Sequence, residues 1–285
     1  MRALVTGGAG FIGTNLIKRL LNDGYKVVSL DNYITGKKEN EQDGCQYFDV
    51  DITETKDYSF FMDKPDVVFH LAALARIQPS LKNPKSAIEV NVNGTLNILE
   101  WSRHKNIQVI YAGSSSMHHG VYNSPYAWSK YGGEQLCKLY SKIYDLNTTI
   151  CRFYNVYGKY HLRSGDYATV IGIFEKQYLE GNPLTITADG EQRRDFTHVE
   201  DIADGLVRCV GKDFRAEEFE LGRGVNYSIN ETANMFGNIP RKYIPARKGE
   251  YSITLCEDRN AYDKLGWTPV NDLEVYIKEW LEKKA

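Results

Sequence analysis

Val5-Thr6-Gly7-Gly8-Ala9-Gly10-Phe11-Ile12-Gly13 decides how this chain folds. Ala3 to Thr6 reads as an apolar strand, three spaced glycines follow, and Phe11 to Leu21 carries apolar residues at helical spacing. In such a unit Gly7 turns tightly, Gly10 lets the backbone approach a pyrophosphate, and Gly13 lets the helix pack close to the strand. The helix N-terminus then offers free N–H groups and a positive dipole end to phosphate. Gly8-x-Gly10-x-x-Gly13 fits a second register, so the glycines alone are a weak signal. A second strand, Lys26 to Leu30, ends in Asp31, near the roughly twenty-residue spacing of a ribose-binding acid. Together these elements predict a dinucleotide site. A carboxylate at Asp31 accepts hydrogen bonds from an adenosine 2′-OH and repels a 2′-phosphate, which favours NAD over NADP. Lys37 and Lys38 are the cations that such a phosphate would meet; the simpler reading makes them solvated loop charges.

The formal net charge is −2 and 25% of residues are charged, which points away from a nucleic-acid or membrane surface. MRALVTGG reads as a core strand, not a signal peptide, and no apolar run approaches membrane-spanning length. Cys45, Cys137, Cys151, Cys209 and Cys256 are scattered without CxxC pairing. That argues against a disulfide framework or a metal site and predicts a cytoplasmic protein.

Strand-like and helix-like stretches alternate through the first half, which predicts an α/β fold with a Rossmann-type, doubly wound parallel sheet. The expected strands are Ala3–Thr6, Lys26–Leu30, Tyr47–Val50, Val67–His70, Gln108–Ala112 and Thr148–Phe153. Their near-continuous apolar character suits a sheet covered on both faces. Helices are expected at Phe11–Asn22, Pro84–His104, Tyr126–Tyr144 and about Leu273 to Lys283, the last with Trp280 and Leu281 turned inward. The second half breaks into short apolar pieces separated by Gly, Pro and charge. It predicts a smaller C-terminal substrate-binding lobe from 156–194 and 222–285, over a dinucleotide-binding domain of 1–155 to which 195–221 returns.

Tyr126-Ala127-Trp128-Ser129-Lys130 sets Tyr and Lys at i and i+4, on one helix face. A phenol is a poor base near neutral pH, and a neighbouring ammonium favours its ionised form. Tyr126 is therefore a candidate acid/base for a substrate hydroxyl, and Lys130 is placed to hold a nicotinamide ribose as well. Upstream, Val109-Ile110-Tyr111-Ala112 runs into Gly113-Ser114-Ser115-Ser116, which puts hydroxyls at a strand's carboxyl end, where the nicotinamide belongs.

With these residues in view, the sequence resembles an extended short-chain dehydrogenase/reductase of the nucleotide-sugar epimerase and dehydratase branch, most like UDP-sugar 4-epimerases. The matches run nearly end to end: TGGAGFIG, the LDN at Asp31, DVDIT at Asp51, HLAAL at His70, NVNGT at Asn91, YAWSK, RFYNVYG at Arg152, DGEQRRDFTHVEDIADG at Asp189 and LGWTP at Leu265. The resemblance implies tightly held NAD and a nucleotide-sugar substrate clamped through its diphosphate. It implies Asp31 and Asn32 at the adenosine ribose, Asp51 and Ile52 at the adenine, and Gly7, Gly10, Phe11, Ile12 and Gly13 at the pyrophosphate. Leu71, Ala72 and Ala73 should line the cofactor path, with Asn91 and Tyr154 at the nicotinamide half. Ser116 and Asn155 should meet the substrate, Arg194 and Arg247 should grip its diphosphate, and Glu250 resembles the acid that binds the nucleotide's ribose. A surface pair with Asp195 or Glu191 is the alternative for Arg194. The implied reaction is 4-epimerisation through a transient 4-keto sugar, with Tyr126 as base, and the resemblance also implies a homodimer through the helices near 84–104 and 126–144.

Three departures qualify the match. Counting from the strand makes Ser114 the catalytic serine, and counting back from Gly120 makes it Ser115; strand register favours Ser114. Dehydratases and decarboxylases of this branch place an acid after the catalytic hydroxyl, where this chain has Ser116 and Met117, followed by His118 and His119. Gly120–Tyr126 and Val225–Pro245 are contracted, which implies a more open pocket. His161, Arg163, Tyr167 and Arg76 are candidates for base or sugar contact, or else solvated loop residues. The competing functions are a dehydratase or net oxidoreductase of the same fold, and a non-catalytic NAD-binding protein.

Overall fold

The apolar runs that open the chain pair side by side. In the computed structural model, which describes residues 1–62 and 64–284, these are β1 (Arg2–Thr6), β2 (Lys26–Asp31), β3 (Cys45–Asp49), β4 (Val67–His70), β5 (Gln108–Ser114) and β6 (Thr148–Phe153). Asp63 and Ala285, which fall in the two expected domains, lie outside the described residues. After two short strands, β7 (Leu184–Thr187) and β8 (Arg193–Asp195), β9 (Glu217–Leu221) returns to the sheet. The order is β3-β2-β1-β4-β5-β6-β9, all parallel, so the winding reverses between β1 and β4. This is the Rossmann-type sheet that the sequence predicts, and the crevice at such a reversal is where open α/β sheets bind ligands.

Helices cover both faces. On one, α1 (Phe11–Asn22) packs against α7 (Val199–Arg208), burying Leu16, Ile17 and Leu20 with Ile202, Leu206 and Trp267. On the other, α4 (Thr95–Lys105) and α5 (Pro125–Tyr144) bury Ile98, Leu99, Trp101 and Tyr140 against Leu4, Val68 and Val109. Each large apolar side chain so buried contributes about 1.5–3 kcal/mol. A third core joins Tyr157, α6 (Val170–Leu179), β7, Phe236 and α10 (Leu273–Glu282), with Ile277 and Trp280 buried and Leu281 only partly so.

Several boundaries differ from expectation. The segment expected as one helix from Pro84 to His104 is α3 (Pro84–Ile88), a π-helical turn (Glu89–Gly94) and α4. The wider turn lets Asn91 reach backward. Its Nδ2 donates to the Leu74 carbonyl (3.1 Å) and to Ser129 Oγ (2.9 Å), and its Oδ1 accepts from the Leu74 N–H (2.8 Å). Strand β5 runs two residues past Ala112, because Gly113 and Ser114 still pair with Arg152 and Phe153. At the edge, β3 occupies 45–49 instead of 47–50, in register with Val27 to Asp31. The stretch 225–245, expected to be contracted, holds β10 (Asn226–Ser228), α8 (Ile229–Asn234) and β11 (Arg241–Ile244); β10 pairs with β8 and β11 with β7. Helix α2 (Ile77–Lys82) packs on α3 and α5, and α9 (Asn260–Leu265) packs on α7 and β9, with Ala261 and Leu265 in the first core.

Candidate active site

One cavity of about 770 Å³ follows the carboxyl edge of the sheet. Its wall takes Gly7 after β1, Asp31 at the end of β2, Val50 and Asp51 after β3, Leu71 after β4, Ser114 at the end of β5, and Phe153 and Asn155 at β6.

The glycine loop has the form of a phosphate cradle. Gly7 has φ +73, where a β-carbon is strained. A β-carbon at Gly13 would lie 2.2 Å from the Gly7 carbonyl oxygen and 2.7 Å from Gly8 Cα, so the helix can approach the loop only as glycine. No side chain caps α1, and its first turn holds no acid, which leaves the Phe11, Ile12 and Gly13 end open to an anion. Asp31 anchors this loop by accepting from the Ala9 N–H (2.9 Å) and the Tyr33 N–H (2.8 Å). A carboxylate has further lone-pair sites, which remain for ribose hydroxyls. Asp51 accepts from the Thr53 N–H (2.8 Å), the Thr53 hydroxyl (2.7 Å) and Asn32 Nδ2 (3.1 Å). Partial burial pushes its carboxyl up, but these donors outweigh that and hold it below the usual range. The fit to a dinucleotide is thus made by a cradle that side chains would fill and by two oriented acids.

Helix α5 carries the reacting groups. Ser124 caps it through the Ala127 N–H (3.1 Å), and Pro125 opens it. The Tyr126 hydroxyl donates to Ser114 Oγ at 3.3 Å. Burial raises the Tyr126 pKa, while the Ser114 bond and the Arg76 charge oppose that rise. One turn on, the buried Lys130 ammonium lies over the Tyr111 ring, 4.3 Å from its centroid. Desolvation brings its pKa down to about 8, against the raising effect of Glu134. Glu134, fully buried, takes Arg152 Nη2 at 2.9 Å, and Arg152 also reaches Glu218 (2.7 Å) and Glu220 (2.8 Å). This ion network braces β5, β6, β9 and α5 behind the serines.

The cavity brings together Gly7, Gly10, Phe11, Ile12, Gly13, Asp31, Asn32, Asp51, Ile52, Leu71, Ala72, Ala73, Ser114, Ser115, Ser116, Tyr126, Lys130, Asn155, Arg194, Arg247 and Glu250. Asn91 and Tyr154, expected at the nicotinamide half, are not on its wall. The Asn91 amide is consumed by Leu74 and Ser129, and Tyr154 is buried with its ring against Gly222. His161 and Arg163 are also elsewhere: both bind the buried Glu175, at 2.9 and 2.7 Å. Arg194 forms no pair with Asp195 or Glu191; it donates to the Arg193 carbonyl (2.9 Å), while Asp195 accepts the N–H groups of Arg223, Gly224 and Cys256. Arg247 and Glu250 sit 3.9 Å apart.

Tyr251 belongs to the wall but no sequence signal singles it out, beyond its place after Glu250. Its ring stacks on His119 (centroids 4.5 Å apart), and its buried hydroxyl, like that of Ser116, has no hydrogen-bond partner among the described residues. The loop histidines are therefore not free: His118 Nε2 lies 2.8 Å from Glu220 Oε1. Arg76 and Tyr167 both reach the cavity, and Arg76 has φ 141, a region that glycine fills.

Known proteins of similar sequence and fold identify the family. Residues 3–222 match the NAD dependent epimerase/dehydratase family. The UDP-glucose 4-epimerase of Mycolicibacterium smegmatis is 32% identical over 94% of this chain and 94% of its own length. The crystal structure of UDP-glucose 4-epimerase from Thermotoga maritima, with UDP-glucose, superimposes with a TM-score of 0.92 at 30% identity, covering 100% of this chain and 99% of that one. UDP-glucuronic acid 4-epimerase from Bacillus cereus, in complex with UDP-glucuronic acid and NAD, gives a TM-score of 0.89 at 29% identity over 100% of both chains. A family match over most of the chain, joined to a glycine cradle and a Ser–Tyr–Lys cluster at the sheet's carboxyl edge, makes this protein an NAD-dependent member of the nucleotide-sugar epimerase/dehydratase family.

Proposed function

We propose that the chain inverts C4 of a UDP-sugar, with 1–155 and 195–221 holding NAD and 156–194 with 222–285 holding the substrate. The observation that carries this reading is the Tyr126–Ser114 hydrogen bond at the cavity wall, one helical turn from Lys130. The glycine loop, Asp31 and Asp51 would hold the cofactor, which when bound supplies a reversible hydride acceptor. Tyr126 takes the proton of the 4-hydroxyl as the C4–H bond is lost and returns it after inversion. Ser114 hydrogen-bonds the same oxygen, so the developing charge never stands alone. Lys130, charged below about pH 8, favours the phenolate that Tyr126 needs. Arg194 and Arg247 grip the diphosphate, a role that suits a forked, permanently charged group, and leave the sugar ring free to turn over.

No acidic side chain follows the serines in Ser114 to His119, which supports epimerisation over the C5 chemistry of a dehydratase. Proton NMR of the purified protein with UDP-, dTDP- and GDP-sugars and no added cofactor tests the reading. A C4-inverted product of unchanged mass supports it. Loss of water, or accumulation of NADH, refutes it.

We infer a homodimer through the same resemblance. Ile88, Leu96, Leu139, Ile143 and Tyr144 leave apolar surface exposed on the helices near 84–104 and 126–144. Light scattering that finds only monomer at working concentration overturns it.

A further inference from the structure

We propose that Arg76 selects nucleotide sugars that carry a carboxylate on the hexose; this narrows, and rests on, the UDP-sugar reading above. Arg76 stands between β4 and α2, on the wall that Ser114, Tyr126 and Arg194 share. Among the described residues its one side-chain hydrogen bond runs from Nε to the Tyr167 carbonyl, at 3.3 Å. It forms no ion pair among the described residues, so both terminal nitrogens of its fork lack an acceptor.

The other cations of the cavity are accounted for. Lys82 pairs with Asp166 at 2.7 Å, Lys130 lies over Tyr111, and Arg247 faces Glu250. Arg194 and Arg247 suffice for the substrate's diphosphate, and the open end of α1 meets that of the cofactor. A third guanidinium has no phosphate left to meet. It also lies on the reacting side of the cavity, since its charge is felt at Tyr126. A cation facing a partly dry wall without a partner is costly until an anion arrives. The backbone at Arg76 has φ 141 and ψ 144, which a side chain of this size occupies only under strain. Strain and an unpaired charge thus coincide at one residue beside the reacting groups. A planar carboxylate is the anion that its fork matches in two parallel bonds. The carboxylate could belong to a uronic acid or to a lactyl ether, and the ligands chosen below separate the two.

Arg76→Gly suits the backbone at φ 141, and Arg76→Lys keeps the charge without the fork. Calorimetry on the NAD-loaded protein gives Kd for UDP-glucose, UDP-glucuronate and UDP-muramate, with C4 inversion followed by NMR in the same tubes. In the wild type the carboxylate ligands bind more tightly than UDP-glucose. In Arg76→Gly the ratio of affinities for the carboxylate ligand and UDP-glucose falls by roughly 10- to 150-fold, the range of a charged hydrogen bond, and Arg76→Lys restores part of it. Which acid shows the drop, glucuronate or muramate, names the source of the carboxylate. An unchanged ratio in both variants overturns the proposal. So does an equal loss for neutral and acidic ligands with a displaced pH–rate profile, because Arg76 then acts through Tyr126. If no sugar is inverted but the Kd ratio drops, the carboxylate subsite stands and the epimerase reading falls.

Discussion

The Tyr126 hydroxyl donates to Ser114 Oγ across 3.3 Å, joining the first turn of α5 to the last residue of β5. Two elements that meet only in the folded protein thereby aim two hydroxyls at one point. Tyr126→Phe removes the only one of the two that exchanges the proton, so turnover should fall about 10²–10⁴-fold while bound NAD and the melting temperature hold. Ser114→Ala leaves the phenol in place and should cost less. If Ser115→Ala costs more than Ser114→Ala, the register assigned to the serines is wrong.

The glycine loop makes a stricter prediction. Gly13→Ala drives a methyl to within 2.2 Å of the Gly7 oxygen, a backbone atom that cannot swing aside. Helix α1 must move off the loop, at about 1–3 kcal/mol of stability. Protein purified from the variant should carry far less NAD by absorbance and by extraction. Retention of full cofactor occupancy would show that the loop is not the pyrophosphate cradle.

What the sequence makes legible here is local. Glycine spacing reports backbone constraints directly, the length of α1 fixes how far Asp31 lies from the loop, and i, i+4 spacing puts Tyr126 and Lys130 on one face. Asn91 shows where that stops. Its NVNGT motif resembles the family's cofactor contact, but nothing in that motif announces the bonds its amide makes to Leu74 and Ser129 from within a π-helical turn. Tyr251 and His119 meet across more than a hundred residues, as do His118 and Glu220, and no periodicity links them. Nor does the sequence of Gly120–Tyr126 announce that these side chains pack together nearby.

Arg152 predicts what the network behind the serines does. Glu134 is fully buried, and three carboxylates converge on one guanidinium. Arg152→Met should cost about 3–5 kcal/mol, because it strands the buried Glu134 carboxylate, while Glu218 keeps Lys138 and Glu220 keeps His118. Glu134→Gln, which keeps most of the shape, should cost less and should lower the Lys130 pKa further, since Glu134 raises it. Denaturant unfolding at pH 7 measures the first effect. An Arg152→Met loss below 1 kcal/mol would mean that the network is solvated and braces nothing.

His118 ties the serine-bearing loop to β9 and makes that tie depend on pH. Its hydrogen bond to Glu220 is the leading cause that raises its pKa above 6.5, helped by the Glu220 charge and opposed by burial and by Arg152. A raised histidine pKa adds stability that is fully present below pH 6.5 and is lost as pH climbs through the folded value. Glu220 shifts the other way: burial raises it, but His118 and Arg152 hold it down, so its share is lost only as pH falls through that lowered value. The tie is therefore strongest between those two titrations. Because the imidazole is 40% exposed, solvent screening keeps the pair to about 0.2–1 kcal/mol, although Glu220 itself is buried. Wild type should exceed His118→Gln in unfolding free energy at pH 6, and the gap should close by pH 8.5. A gap that stays constant across that range would show that His118 contributes packing and no charge.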